Sequence, residues 1–165
     1  EIVTRINPGL KGDIAEIKII ETGHGAIMIS LPESILFQSG EARVRSEALP
    51  LLKALADVLI EMGRHIRILG HTDNVPIRTA QFPSNWELSA VRAVMVVRIF
   101  SELYEVPITH LSATGFADSK PVATNDTPEG RTKNRRVEII VLENHASEET
   151  LDALLPKENA SAPLP

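Results

Sequence analysis

Between His65 and Tyr104 the chain changes its hydrophobic period once, and no other feature constrains the fold as strongly. The run His65–Gly70 (HIRILG) puts Ile66 and Ile68 on one side, as a half-buried strand does. A polar loop with two prolines follows, and then a helix begins. Ser84 with Glu87 three residues later fits a capping box, in which hydroxyl and carboxylate satisfy free amides reciprocally, and Asn85 is an alternative cap. The helix is expected to run to Leu103 or Tyr104, ahead of Val106-Pro107, with Leu88, Val91, Met95 and Ile99 as its buried stripe. The stretch Gly70–Arg98 thus sets a strand end close to a helix start, and the remaining chain reads as scaffold for it.

The scaffold follows the same logic. Ile14–Glu21 and Ala26–Leu31 are β-branched runs around Thr22-Gly23-His24-Gly25, which predicts a hairpin. Pro32 closes the second run, because it cannot donate to a ladder, and Ile35-Leu36-Phe37 is a short apolar piece leading to Ser39-Gly40. Ser46–Met62 carries Leu52, Leu55, Ala56 and Leu59 at helical spacing and stops at Gly63, a natural C-cap. The succession of strand, helix and strand predicts a βαβ unit with parallel neighbours. Further strands are expected at Leu111–Gly115 and at Arg136–Leu142, separated by a loop over Asp118–Gly130. From Glu143 the chain turns acidic and then rich in Ala and Pro. Ser147–Pro165 reads as a tail with one helical turn around Leu151–Leu155.

Composition excludes several functions. The 165 residues make one domain, and its 43% hydrophobic content with 4% aromatics requires a core of Ile, Leu, Val and Ala. A net charge of −5 argues against a nucleic-acid binder, which needs a basic face. The absence of cysteine removes disulfide scaffolds and thiolate metal sites, and no apolar run approaches the ~20 residues of a membrane span. No signal peptide is visible. The chain opens on Glu1, from which we expect a fragment or processed form whose membrane anchor lies upstream.

Two charges in the organising stretch bear on chemistry. Asp73 either shapes its own loop as an Asx-turn or receives a ligand's ammonium group. Arg92 is either a surface ion-pair partner or a carboxylate clamp beside the helix N-terminus, whose free amides also favour anions. Together the pair suits a small zwitterion. Asn134-Arg135-Arg136 offers another anion contact or a solvated strand edge, and Trp86 either lines a groove or anchors the helix by packing. The five histidines show no metal-ligand spacing, and Ser84, Ser89, His71 and Asp73 lack the nucleophile elbow a hydrolase triad would need.

Several spaced words then converge. Asn85-x-x-Leu88-Ser89-x-x-Arg92-Ala93-x-x-Val96, preceded by Gly70-His71-Thr72-Asp73 and followed by Gly115-Phe116-Ala117, Gly130-Arg131 and Asn134-Arg135-Arg136-Val137-Glu138, resembles the OmpA-like peptidoglycan-binding domains over roughly Gly23 to Leu142. The long Val75–Ser84 loop, Phe82-Pro83-Ser84-Asn85-Trp86-Glu87-Leu88-Ser89, Thr22-Gly23-x-Gly25 and Leu36-Phe37-x-Ser39-Gly40 resemble the branch of flagellar motor stator B subunits (MotB and its sodium-driven relatives).

The resemblance implies an α/β sandwich with a mixed sheet of about four strands and helices on one face. It implies an N-terminal linker and first-strand region at 1–22, a peptidoglycan-binding domain at 23–145 and a flexible tail at 146–165. It further implies a non-catalytic domain without cofactor or metal, in which Asp73 and Arg92 grip the diaminopimelate of the stem peptide. Asn85, Leu88 and Thr72 would line the groove, and Arg135 or Arg136 would complete it. Gln38 departs from relatives that carry an acid there. A homodimer, a stator A subunit reached through an upstream membrane segment, and a periplasmic place in a Gram-negative, single-pass inner-membrane protein are the expected context. Other envelope tethers of the same fold (a Pal-type lipoprotein, an outer-membrane protein tail, a secretion-system anchor) are the alternative.

Overall fold

A computed structural model describes residues 16–21 and 25–142. Most of 1–22, the hairpin turn at 22–24 and the tail with its helical turn at Leu151–Leu155 lie outside the described residues. In chain order the elements are β1 (Lys18–Glu21), β2 (Ile27–Pro32), the single turn α1 (Glu33–Leu36), α2 (Leu49–Met62), β3 (Ile66–His71), α3 (Asn85–Arg98), β4 (Leu111–Gly115), α4 (Pro128–Asn134) and β5 (Arg136–Val141).

The five strands form one mixed sheet in the order β1-β2-β5-β3-β4. β1 pairs antiparallel with β2, and β5 pairs antiparallel with both β2 and β3. Among the described strands only β3 and β4 pair in parallel, joined by the crossover through α3. This corrects the expected βαβ unit around α2. Its strands β2 and β3 do point the same way, but β5 arrives from the end of the chain and separates them. The sheet also has five strands rather than about four, because the N-terminal hairpin adds its outer strand to the edge.

Strand alternation decides which residues reach the helices. Ile29, Ile139 and Ile68 lie in register across the sheet, as do Ile27, Val141 and Ile66. These residues join Leu52, Leu55, Ala56 and Leu59 of α2 and Ala93, Val96 and Phe100 of the α3 region in one buried cluster. α2 ends as expected at Gly63, which takes the left-handed conformation (φ 60°) and caps the last turn.

Of the stripe expected on α3, Leu88 and Ile99 are buried and Met95 is partly buried, but Val91 is exposed, and the buried face is turned to take in Ser89, Arg92, Ala93 and Val96. The cause lies in the sheet. Gly70 and Gly115 are register partners, and α3 lies directly on them. A Cβ on Gly70 would fall 2.0 Å from the Ser89 carbonyl oxygen, and one on Gly115 would fall 2.5 Å from the Ala90 nitrogen. Two adjacent glycines therefore let a small-residue face of the helix approach its backbone to the strand, and Arg92 is carried inward with it. α3 continues through a π-helical turn at Ile99–Leu103, so the helical stretch ends where the sequence predicts.

Candidate functional site

The site forms where β2 and β3 end and β5 begins, beside the N-terminal half of α3. After β3, the amide of Thr72 donates to the Ala117 carbonyl (2.9 Å) and its hydroxyl donates to the Asp73 carbonyl (2.8 Å), which ties down the loop start. Asp73 is buried, and its Oδ1 accepts the Val75 amide at 3.0 Å. It therefore does make the Asx-type turn, and its Oδ2 remains available for another charge. Asn85 holds the returning end of the loop, donating to the carbonyls of Val75 (3.0 Å) and Asp73 (3.4 Å).

The helix begins as the capping box predicts: Ser84 caps the Trp86 amide and also bonds Glu87. Phe82 anchors the loop between these ends. It is buried with Leu88 and Ala42 in a separate apolar cluster, so Leu88 serves here as a loop anchor. Trp86 is about half exposed and is no packing anchor.

Arg92 is only 3% exposed. Its Nε donates to the Glu41 carbonyl (2.8 Å), its Nη2 pairs with Glu33 Oε1, and its guanidinium carbon stands 5.1 Å from the centre of the Phe37 ring. Burial pulls its pKa below the ordinary value, and the charges of Glu33 and, more weakly, Asp73 oppose that pull. Arg135 joins the two sides. Its Nη1 meets Asp73 Oδ2 at 2.7 Å, its Nε meets Glu33 Oε2 at 2.7 Å, and its Nη2 donates to Thr132 (3.0 Å). The result is a chain of alternating charges, Asp73–Arg135–Glu33–Arg92. It borders an open cavity of about 360 Å³ lined by Glu33, Phe37, Gln38, Thr132 and Arg135 among others.

Arg136 goes elsewhere. Its Nε donates to Glu138 Oε1 (2.7 Å) and its other nitrogens to the carbonyls of Asn134 and Lys120 (both 3.1 Å). The second oxygen of Glu138 pairs with His71 Nε2 at 3.1 Å, and the His71 ring stacks on Phe116. His71 Nδ1 is buried without a hydrogen-bond partner among the described residues. Desolvation alone would raise the Glu138 pKa; the hydrogen bonds from His71 and Arg136 together outweigh it and hold the carboxyl down at about 2.

Residues 36–135 match the family model described as the OmpA family, which is well over half of the chain. The chain belongs to the OmpA family. It is 45% identical over 123 residues to Motility protein B of Bacillus subtilis, an alignment covering 74% of this chain and 47% of that protein. Among solved structures it resembles the cell wall anchor of the T6SS from Pseudomonas aeruginosa (TM-score 0.73, 37% identity, 78% of this chain and 88% of that one). It also resembles the periplasmic domain of Helicobacter pylori MotB (TM-score 0.73, 26% identity, 87% and 93%). The chain spans about half the length of the curated relatives it matches.

As an OmpA-family domain of the MotB-like kind, it is a non-catalytic peptidoglycan-binding module. Among the described residues no cluster of His, Asp or Glu is placed to hold a metal ion, and no helix is long and apolar enough to cross a membrane. The fold brings Thr72, Asp73, Asn85, Arg92 and Arg135 together and sends Arg136 away. The residue that sequence reasoning missed is Glu33. Its signal was present: it continues the inward phase of Ile27, Ile29 and Leu31, so a carboxylate was due on the helix side of the sheet. The short helix α4, with Thr127 capping the Gly130 amide, was also missed; it begins inside the expected loop and runs past its end to Asn134. Buried Asn134 explains the ordered path beside it, since its side chain bonds Val122, Ala123 and Asn125.

Proposed function

We propose that the groove between Asp73, Arg135 and Arg92 binds the diaminopimelate of the peptidoglycan stem peptide. The observation that carries the reading is that Asp73, Arg135, Glu33 and Arg92 form one chain of charges, of which Arg135 and Glu33 line an open cavity, and the Arg135 side chain is about one-third exposed. Asp73 suits the ammonium group of the ligand's side chain, and Arg135 with Arg92 suits its carboxylate, through charge-assisted bonds strengthened by partial burial. Thr72 and Asn85 position the Asp73 loop, Leu88 supports it from below, and Arg136 takes no part. No covalent step is required, because holding the wall needs affinity alone.

The 45% identity to Motility protein B supports a further proposal, that the domain anchors a motor stator complex to the wall. In that role it acts as a homodimer outside the cytoplasmic membrane and reaches a stator A subunit through an upstream membrane segment. A relative in Bacillus subtilis gives no preference for a Gram-negative envelope, so the proposal extends to either type. The likeness to a secretion-system wall anchor, at 37% identity, supports the second reading: a tether of the same fold serving another envelope machine.

Sedimentation with purified sacculi tests the first proposal: the chain should pellet with them and release no soluble fragments. A soluble stem tripeptide carrying diaminopimelate should bind, and the same peptide carrying lysine should bind at least about tenfold more weakly, for want of the second carboxylate. Equal binding of the two would remove the diaminopimelate reading. Co-purification of the full-length protein with a stator A subunit, or its failure, separates the motor from the other tethers.

A further inference from the structure

We propose that Glu33 is a built-in competitor for the ligand's carboxylate, and that it makes the groove select head groups carrying both charges. The inference rests on the reading of the groove as an amino-carboxylate site. Both oxygens of Glu33 are used: Oε1 pairs with Arg92 and Oε2 with Arg135. Those are the two guanidiniums a ligand carboxylate would need. Arg135 in turn occupies Asp73 Oδ2, where a ligand ammonium would go. Without ligand, two carboxylates and two guanidiniums therefore balance to zero, and each polar end of the ligand already has an internal stand-in.

The two stand-ins differ in freedom. Glu33 is 8% exposed, and its own amide is held by the Arg135 carbonyl at 3.0 Å. The Arg135 side chain is long, borders the cavity and is 32% exposed. Binding then reads as an exchange in which every charge keeps a partner. The ligand ammonium displaces Arg135 from Asp73, and the released guanidinium takes the ligand carboxylate while Glu33 stays in place. A head group with only an amine frees Arg135 without offering it a new partner. A head group with only a carboxylate must compete with Glu33 and leaves an excess negative charge in a half-buried site, which is unfavourable.

Calorimetric titration of the purified chain with two tripeptides tests this. One carries diaminopimelate, and the other carries the same side chain without its terminal amine. Wild type should bind the first and show no measurable binding of the second. Glu33→Gln should bind the first roughly three- to tenfold tighter and bind the second measurably, because the competing charge is gone. Should Glu33→Gln fail to fold, Glu33→Asp keeps the charge but withdraws it by one methylene, and it should also bind the first peptide more tightly. Binding by a folded variant that is no tighter than wild type overturns the proposal. Failure of wild type to bind either peptide overturns the groove reading and this proposal with it, whereas wild-type binding without any gain in the variants overturns this proposal alone.

Discussion

Two ionic networks grow from the same strand ends on opposite sides of the sheet. Asp73, Arg135, Glu33 and Arg92 lie toward the helices, whereas His71, Glu138 and Arg136 lie on the other side, beneath Phe116 and the chain around Lys120. Both are largely buried, and both pair carboxylates with guanidiniums. They differ in one respect. The first has a member facing an open cavity, and the second is closed, with the Arg136 side chain 6% exposed and anchored to two carbonyls as well as to Glu138. A buried ion pair by itself is weak evidence for function or for stability. Access to a movable partner is what separates a site from a strut.

Breaking the closed network should have the largest effect. Glu138→Ala leaves Arg136 buried without its charge partner, so a stability loss of about 3–5 kcal/mol is expected in chemical denaturation. Acid should probe the same strut. The folded pKa of Glu138, about 2, lies below its ordinary 4.5, so the stabilisation it provides is complete above the unfolded value. It is lost as pH falls from about 4.5 toward 2. Glu138→Gln should show a shallower loss of stability across that window than wild type; identical acid limbs would mean the network is not the source.

The open network should respond in binding before stability. Asp73→Ala removes one turn bond and one exposed-side ion pair, for a cost of roughly 1–2 kcal/mol, while sacculus pull-down falls by at least about tenfold. Should the variant melt as early as Glu138→Ala, the contrast between site and strut is lost. Arg92→Ala is the poorer probe, because it also leaves a cavity and deprives Glu33 of a partner. The smallest effect is expected from salt. Raising ionic strength from 0.1 M to about 0.5 M should weaken sacculus binding severalfold through the part-exposed Arg135, with little change in melting.

Much of this was legible in one dimension. The alternation in Val137–Val141, the capping box at Ser84–Glu87, the Gly63 cap and the strand Leu111–Gly115 are local signals, and each element formed where its signal stood. The family words implied a site at Asp73 and Arg92, and the structure links those two side chains through Arg135 and Glu33. Even the choice between Arg135 and Arg136 was latent in strand parity. Arg135 shares the inward phase of Val137, Ile139 and Val141, and Arg136 shares the outward phase of Glu138.

What the sequence by itself determined is the strands, the two long helices and the face each strand turns to the helices, because these follow from short-range periodicity and capping. Tertiary structure alone decided the rest. Insertion of β5 between β2 and β3 depends on pairing between distant segments, which no local pattern encodes. The rotation of α3 that buries Arg92 and exposes Val91 depends on two glycines meeting across strands. Glu33 reaches both arginines only because the end of β2 and the start of β5 meet beside the middle of α3, so the carboxylate that balances the site is a product of the fold.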